Sequence, residues 1–253
     1  MENGKHTNFI LTPIFEILED CVNATKGISS GIETYPLCDY IMQTTFLKLT
    51  GASEQKLKCI LWEIATNDYT FRYEFLKTSY GECSALDDKK KVFNVLKDQV
   101  KAMNPDKDLF DKIYDNDTKT KIQEKSGQEI ILLFEHSILS IWQGKEFNNF
   151  KNYSSDLINN HFCNFPTKKN QIDKRNISLI DGIIDYYRIV FKHRNRCAHN
   201  LKSYQTNLPD LSTLVNKDYD YENYFFRFSI LVLLDEIFMK LYSEYLELLR
   251  DNI

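Results

Sequence analysis

The chain of 253 residues is poor in turn-forming residues, with 8 glycines and 5 prolines. That scarcity excludes a loop-rich all-β fold, which needs such residues at short intervals. Long hydrophobic runs are also missing. The longest strongly apolar stretch, Ile230 to Leu234, falls far short of the ~20 residues that span a bilayer, so no membrane segment is expected. The opening residues, Met1-Glu2-Asn3-Gly4-Lys5-His6, contain no apolar run, so no secretory signal and a cytoplasmic location are expected. The six cysteines, at 21, 38, 59, 83, 163 and 197, form no C-x-x-C pair and read as reduced, mostly buried thiols. There is no Gly-rich phosphate loop, H-E-x-x-H or G-x-S-x-G, and no Cys, His or carboxylate set at metal-ligand spacing. No metal or cofactor is therefore expected.

What remains is an ordinary globular composition, 43% hydrophobic and 27% charged, dominated by helical periodicity. Helices are expected over 8–24, over 36–49 (opened by Pro36 and stopped at Gly51), and over 53–77 with Ser53 as its cap. Further helices are expected at 87–103, 106–114, 127–143, 178–199 and 221–250. The last is apolar on more than one face, which suits a central helix or a dimer interface. Loops are expected at 25–35, 79–86, 115–125, 144–152, 163–177 and 201–220. The expected architecture is one large all-α domain over 1–253, with the Lys/Asn-rich stretch 144–177 as the best place for an internal boundary.

A formal net charge of −4 means that any nucleic-acid contact must come from a local patch. One exists. Between Asp185 and Asp210 there is no acidic residue, while Arg188, Lys192, Arg194, Arg196 and Lys202 all fall there. Lys168, Lys169, Lys174 and Arg175 form a second cluster just upstream. Within 178–199 the apolar stripe runs Ile180, Ile184, Tyr187, Phe191, and the next position on it is Arg194. A cation in that place needs a partner or a functional cleft. Asn195, Arg196, Cys197, Ala198, His199 and Asn200 follow, crowding donors and a titratable imidazole into one turn, a combination suited to a phosphodiester. Arg188 and His193 repeat the same spacing, but Arg188 follows Asp185 and Asp181 on a polar side, so that repeat is expected to be an exposed helix surface. On a continuous helix Arg194 and His199 stand about 140° apart at ~100° per residue. They would meet one substrate only if the helix ended before His199 or if a second copy completed the site.

The run Arg194-Asn195-Arg196-Cys197-Ala198-His199-Asn200 resembles the R-N-x-x-x-H signature of the HEPN superfamily, and more locally the abortive-infection branch of bacterial phage-defence proteins. The close resemblance covers residues 180–205. It implies a HEPN-like helical bundle with additional helices, and a homodimeric, metal-independent endoribonuclease acting as a toxin or anti-phage effector. His199 would be the general acid/base, Arg194 would stabilise the phosphorane charge, and Asn195 would orient His199 or hold a phosphate oxygen. Arg196, Lys192, Asn200, Lys202 and Tyr204 are weaker candidates for holding RNA. An antitoxin or a regulatory RNA would be a further partner. One HEPN branch carries a Tyr two positions after its His for control by nucleotidylation; Leu201 stands there, so that control is not expected. The alternatives are a non-catalytic HEPN-like module binding RNA or nucleotide, and an unrelated helical scaffold protein.

Asp68 interrupts the stripe of the helix expected over 53–77. It reads either as a carboxylate orienting His199 or Arg194, or as the partner of Arg72 one turn on, the second being favoured. Glu63, Asn67 and Glu74 are expected to be solvated.

Overall fold

The computed structural model describes residues 5–77, 81–106, 108–162, 184–199 and 223–251, and the side chains of all these except 156–162, 184–186, 188, 189 and 199. Among the described residues the fold is all-α, without strands. In chain order come α1 (Thr7–Leu11), α2 (Phe15–Thr25), a 3-10 turn Ile32–Thr34, α3 (Tyr35–Asn67), α4 (Tyr69–Phe75), α5 (Leu86–Met103) and α6 (Leu109–Ile113). Then follow α7 (Asn116–Ser126), α8 (Gln128–Phe134), α9 (Ile138–Trp142), α10 (Gly144–Phe162), α11 (Ile184–His199) and α12 (Tyr224–Asp251). No helix of the described residues is long and apolar enough to cross a membrane.

The centre is α12. Every residue from Phe225 to Asp235 on it is buried, as its many-sided apolarity predicts for a central helix. It packs most extensively on α3, α5 and α7. Phe225 meets Phe134 of α8 edge-on at 5.2 Å and Phe147 of α10 at 5.0 Å, while Phe226 meets Phe150 of α10 at 5.1 Å. Each such ring, fully withdrawn from water, contributes up to about 2–3 kcal/mol.

Several helix boundaries differ from the sequence expectation, each for a local or tertiary reason. Pro13 divides the expected 8–24 helix into α1 and α2, and the Ile14 N–H freed at the break donates to Asp235 Oδ2 on α12 at 2.9 Å. Gly51 stops nothing: α3 runs through it for 33 residues, about 50 Å at 1.5 Å per residue. Ser53 is not a cap but a buried residue inside α3. The ~1 kcal/mol that a helical glycine costs is outweighed by the burial of Leu49, Leu57 and Ile60 on either side. The break comes instead at Asp68, which caps α4 by accepting from Phe71 N–H at 3.0 Å.

The expected 127–143 helix is split at His136, which takes a left-handed φ of 66°, and Ser137 caps α9 through Ser140 N–H at 3.1 Å. Two expected loops are helices. Asp115 caps α7 within 115–125, accepting from Thr118 N–H at 2.8 Å, and Lys125 ties that helix to Glu236 of α12 at 2.7 Å. Residues 144–152 open α10, whose Phe147, Phe150 and Ser154 are buried at helical spacing. The rest of 144–177 beyond residue 162, and the loops expected at 163–177 and 201–220, lie outside the described residues. The buried residues, those of α11 included, form one contiguous core.

Candidate functional site at the end of helix 11

Three contacts set α11 against α3. Arg194 meets Glu54, His193 meets Phe46, and Cys197 is bonded to Gln43. Among the described side chains of α11 the buried ones are Tyr187, Val190 and Cys197, with Phe191 half-buried beside them. At 100° per residue Arg194 falls among these, on the core side. The stripe has a cation in it, as the sequence indicates, and the cation has a partner.

That partner is Glu54, an acid 140 residues away that the sequence reading did not single out. Arg194 Nη2 donates to Glu54 Oε2 at 3.2 Å, with the two side chains 25% and 14% exposed. Arg194 Nη1 donates to Asn195 Oδ1, also at 3.2 Å. One side of the guanidinium is therefore fixed from the interior, and the neighbouring amide bends over its other nitrogen. Glu54 sits between Ser53 and Leu57, both buried on α3. An acid flanking a buried stripe was the only available sign of it.

α11 continues through His199, so it does not end early enough to turn His199 toward Arg194. Positions 192, 195, 196 and 199 share one face by their i, i+3, i+4, i+7 spacing, turned away from the buried stripe. Lys192 on that face is exposed, and Asn195 and Arg196 are half-buried. Arg194 and His199 thus stand about 140° apart on a single helix end, with Asn195 at an angle between them and hydrogen-bonded to Arg194. The side chain of His199, and all of Asn200, Lys202 and Tyr204, lie outside the described residues.

His193 differs from its expectation as an exposed helical surface. Its ring packs on Phe46 at 5.1 Å and Tyr224 at 5.2 Å. Nδ1 faces Arg196 Nη2 at 3.3 Å and Nε2 faces Cys197 Sγ at 3.4 Å. Arg196 can only donate, so Nδ1 accepts and Nε2 carries the proton toward the sulfur. Burial, with the Arg227 and Arg196 charges, pushes the imidazole down to about 2, so it stays neutral across the physiological range. The same contact turns Arg196 partly away from the outer face. Burial pushes the Cys197 thiol up, which leaves it an unreactive core group.

Asp68 takes no part in this site. It lies about four turns, some 20 Å, along α3 from Glu54, where its carboxylate caps α4 and accepts from Gln99 Nε2 at 2.7 Å. Burial raises its pKa, but bonds from Phe71, Gln99 and Thr70 more than reverse that and leave it below the usual carboxylate range. Nor does it pair with Arg72, whose guanidinium donates to the α3 carbonyls of Ala65 at 2.7 Å and Thr66 at 2.9 Å. Glu63, expected in solvent, is buried and accepts from His6 N–H at 2.9 Å.

Comparison of the chain with protein-family models, with curated protein sequences and with solved structures finds no match.

Proposed function

We propose that the protein is a metal-independent endoribonuclease of HEPN type that works as a homodimer, in the role of a toxin or anti-phage effector. The observation that carries this reading is the division of chemistry across the end of α11. An arginine held from the interior by Glu54 stands on one side, and the Lys192, Asn195, Arg196 and His199 positions stand on the other. A single helix end cannot bring both halves to one phosphate. A second copy placed about a two-fold axis supplies the missing half.

In such a site His199 takes the proton of a ribose 2′-hydroxyl. The 2′-oxygen then bonds to phosphorus, the bond to the 5′-oxygen breaks, and that oxygen leaves with a proton given by the protonated His199 of the second copy. Arg194 stabilises the charge that builds on the phosphorane, being already oriented by Glu54 and so needing little reorganisation. Asn195, one turn before His199 and bonded to Arg194, orients the pair or holds a phosphate oxygen. Lys192, Arg196, Asn200, Lys202 and Tyr204 would retain the RNA strand.

Purified protein incubated with end-labelled single-stranded RNA in excess EDTA is expected to give products with 2′,3′-cyclic phosphate ends. His199→Ala and Arg194→Ala should each lower the rate by about 10²–10⁴, with the fold intact by circular dichroism, while Arg188→Ala keeps most activity. RNA that is bound but never cut would assign a binding module instead. Strict magnesium dependence, equal cutting of DNA, or a monomer that persists in RNA would refute the proposal.

A further inference from the structure

A second polar contact at the end of α11 is anchored in the interior, this time through a neutral ring. His193 packs between Phe46 of α3 and Tyr224 of α12, its ring centre 5.1 and 5.2 Å from theirs. Its Nδ1 accepts from Arg196 Nη2 at 3.3 Å, and its Nε2 donates to Cys197 Sγ at 3.4 Å. Cys197 is bonded in turn to Gln43 of α3 and to Tyr224. Two aromatic neighbours and a contact at each nitrogen fix the imidazole, so its acceptor points one way. Arg196 thereby gains a defined place that a long, flexible side chain lacks in water.

Helix phase gives that place its meaning. Position 196 stands three residues before 199, about 60° away around α11, whereas Arg194 stands about 140° away. Arg196 is the guanidinium that shares a face with His199 within one copy. Its bond to His193 uses one of its donors and leaves the others. Among the described residues no carboxylate pairs with it. A carboxylate in the place of His193 would compete with a phosphate for the same charge; a neutral acceptor orients the guanidinium without competing. We infer that His193 is a positioning residue for Arg196, holding its guanidinium at the margin of the His199 face, where the remaining donors meet a phosphate of the bound RNA. The inference rests on the ribonuclease reading above and deepens it.

Binding is measured with a 2′-O-methyl single strand, which has no free 2′-hydroxyl and cannot be cut. Arg196→Gln should raise Kd about tenfold and flatten the slope of log Kd against log salt by about 0.7, the share of one phosphate contact on a single strand. His193→Phe keeps an aromatic ring against Phe46 and Tyr224 and removes the acceptor. It should raise Kd about threefold to tenfold, the cost of ordering one free arginine on binding, and leave the salt slope unchanged. His193→Asn, whose amide oxygen stands in for Nδ1, should recover most of that loss. In the Arg196→Gln background His193→Phe should have no further effect.

An equal effect in both backgrounds, with every variant folded by circular dichroism, makes His193 a packing residue and overturns the inference. So does a His193→Phe affinity equal to that of the parent. A ¹⁵N spectrum of the parent, which needs no substitution, also overturns it if the His193 proton sits on Nδ1, where Arg196 would find no acceptor. In RNA cleavage His193→Phe should raise KM by the same factor, with kcat changed by less than about twofold. A fall in kcat with KM unchanged means that the substitution disturbs α11 as a whole, and refutes the role. A parent that binds the 2′-O-methyl strand yet cuts no RNA refutes the ribonuclease reading, and the binding cycle then decides His193 by itself. A parent that binds no RNA overturns both.

Discussion

Two ion pairs leave α3 within one turn of each other and have opposite characters. Lys56 points toward α12 and meets Asp235 with both carboxylate oxygens, at 2.8 and 2.9 Å, neither side chain more than 5% exposed. Glu54, two residues earlier and so about 200° around the helix, meets Arg194 of α11 through a single 3.2 Å bond, the arginine 25% exposed. The first pair is closed. Asp235 also accepts from Ile14 N–H, and burial raises its carboxyl to about 6 while lowering the lysine, so the interior resists both charges. It locks α2, α3 and α12 together and has no opening through which to act on anything else. The second pair keeps donors in reserve at a half-open helix end. A charge is held in the same way in both places; the degree of enclosure separates a fastener from a poised group.

Breaking the closed pair should have the larger effect on stability. Asp235→Ala leaves Lys56 buried without its counter-ion and is expected to cost about 3–5 kcal/mol in urea unfolding. Replacing both residues by Leu and Met should restore most of it. Glu54→Gln, at the more open pair, should cost less, about 1–2 kcal/mol. Equal losses at the two sites would mean that the α11 pair is a fastener as well.

His193 gives an intermediate effect and shows how far the core extends into α11. His193→Ala should lose about 1–3 kcal/mol, because it empties a space bounded by Phe46 and Tyr224. The pH dependence has a fixed sign. The folded imidazole stays neutral, with its pKa near 2 against 6.5 when unfolded, so below about 6.5 protons bind preferentially to the unfolded chain. Stability contributed by the neutral ring is therefore present above 6.5 and is lost as pH falls from there toward 2. His193→Phe should remove that part of the acid sensitivity, measured as the midpoint of thermal unfolding at pH 7 and pH 5. An unchanged slope between those values would place His193 in solvent.

The smallest effect tests the helix that carries both pairs. A Cβ added at Gly51 meets nothing within 4 Å, and the residue is exposed in mid-helix. Gly51→Ala should stabilise the protein by about 0.5–1 kcal/mol and leave both ion pairs intact, seen as a raised urea midpoint with unchanged slope. A destabilised variant would show that α3 needs a hinge there.

Legibility followed the range of the interactions. α5 and α12 stand close to where periodicity placed them, because each carries its own apolar stripe. The caps at Asp68, Asp115 and Ser137 were readable in principle, being short polar side chains followed by a helical pattern, yet 115–125 passed for a loop because it has few apolar residues. α10 has no counterpart among the expected helices, because Phe147 and Phe150 reveal themselves only with Phe225 and Phe226 beside them. At the site, Arg194 was conspicuous as a cation in an apolar stripe. Lys56 breaks its stripe in the same way, and the same signal would have found it.

The sequence by itself determined that this is a helical protein and that donors and an imidazole gather at the end of α11, since helix phase and composition are properties of neighbouring residues. Only the tertiary structure decided what each buried charge means. Whether Arg194 or Lys56 is tolerated, and whether it is locked or poised, depends on the acid that another helix brings to it. Glu54 is 140 residues from Arg194 and Asp235 is 179 from Lys56. Nothing local encodes those meetings, because they follow from how α3, α5, α11 and α12 pack to bury their apolar faces, and the desolvation cost of each charge is set only once that packing exists.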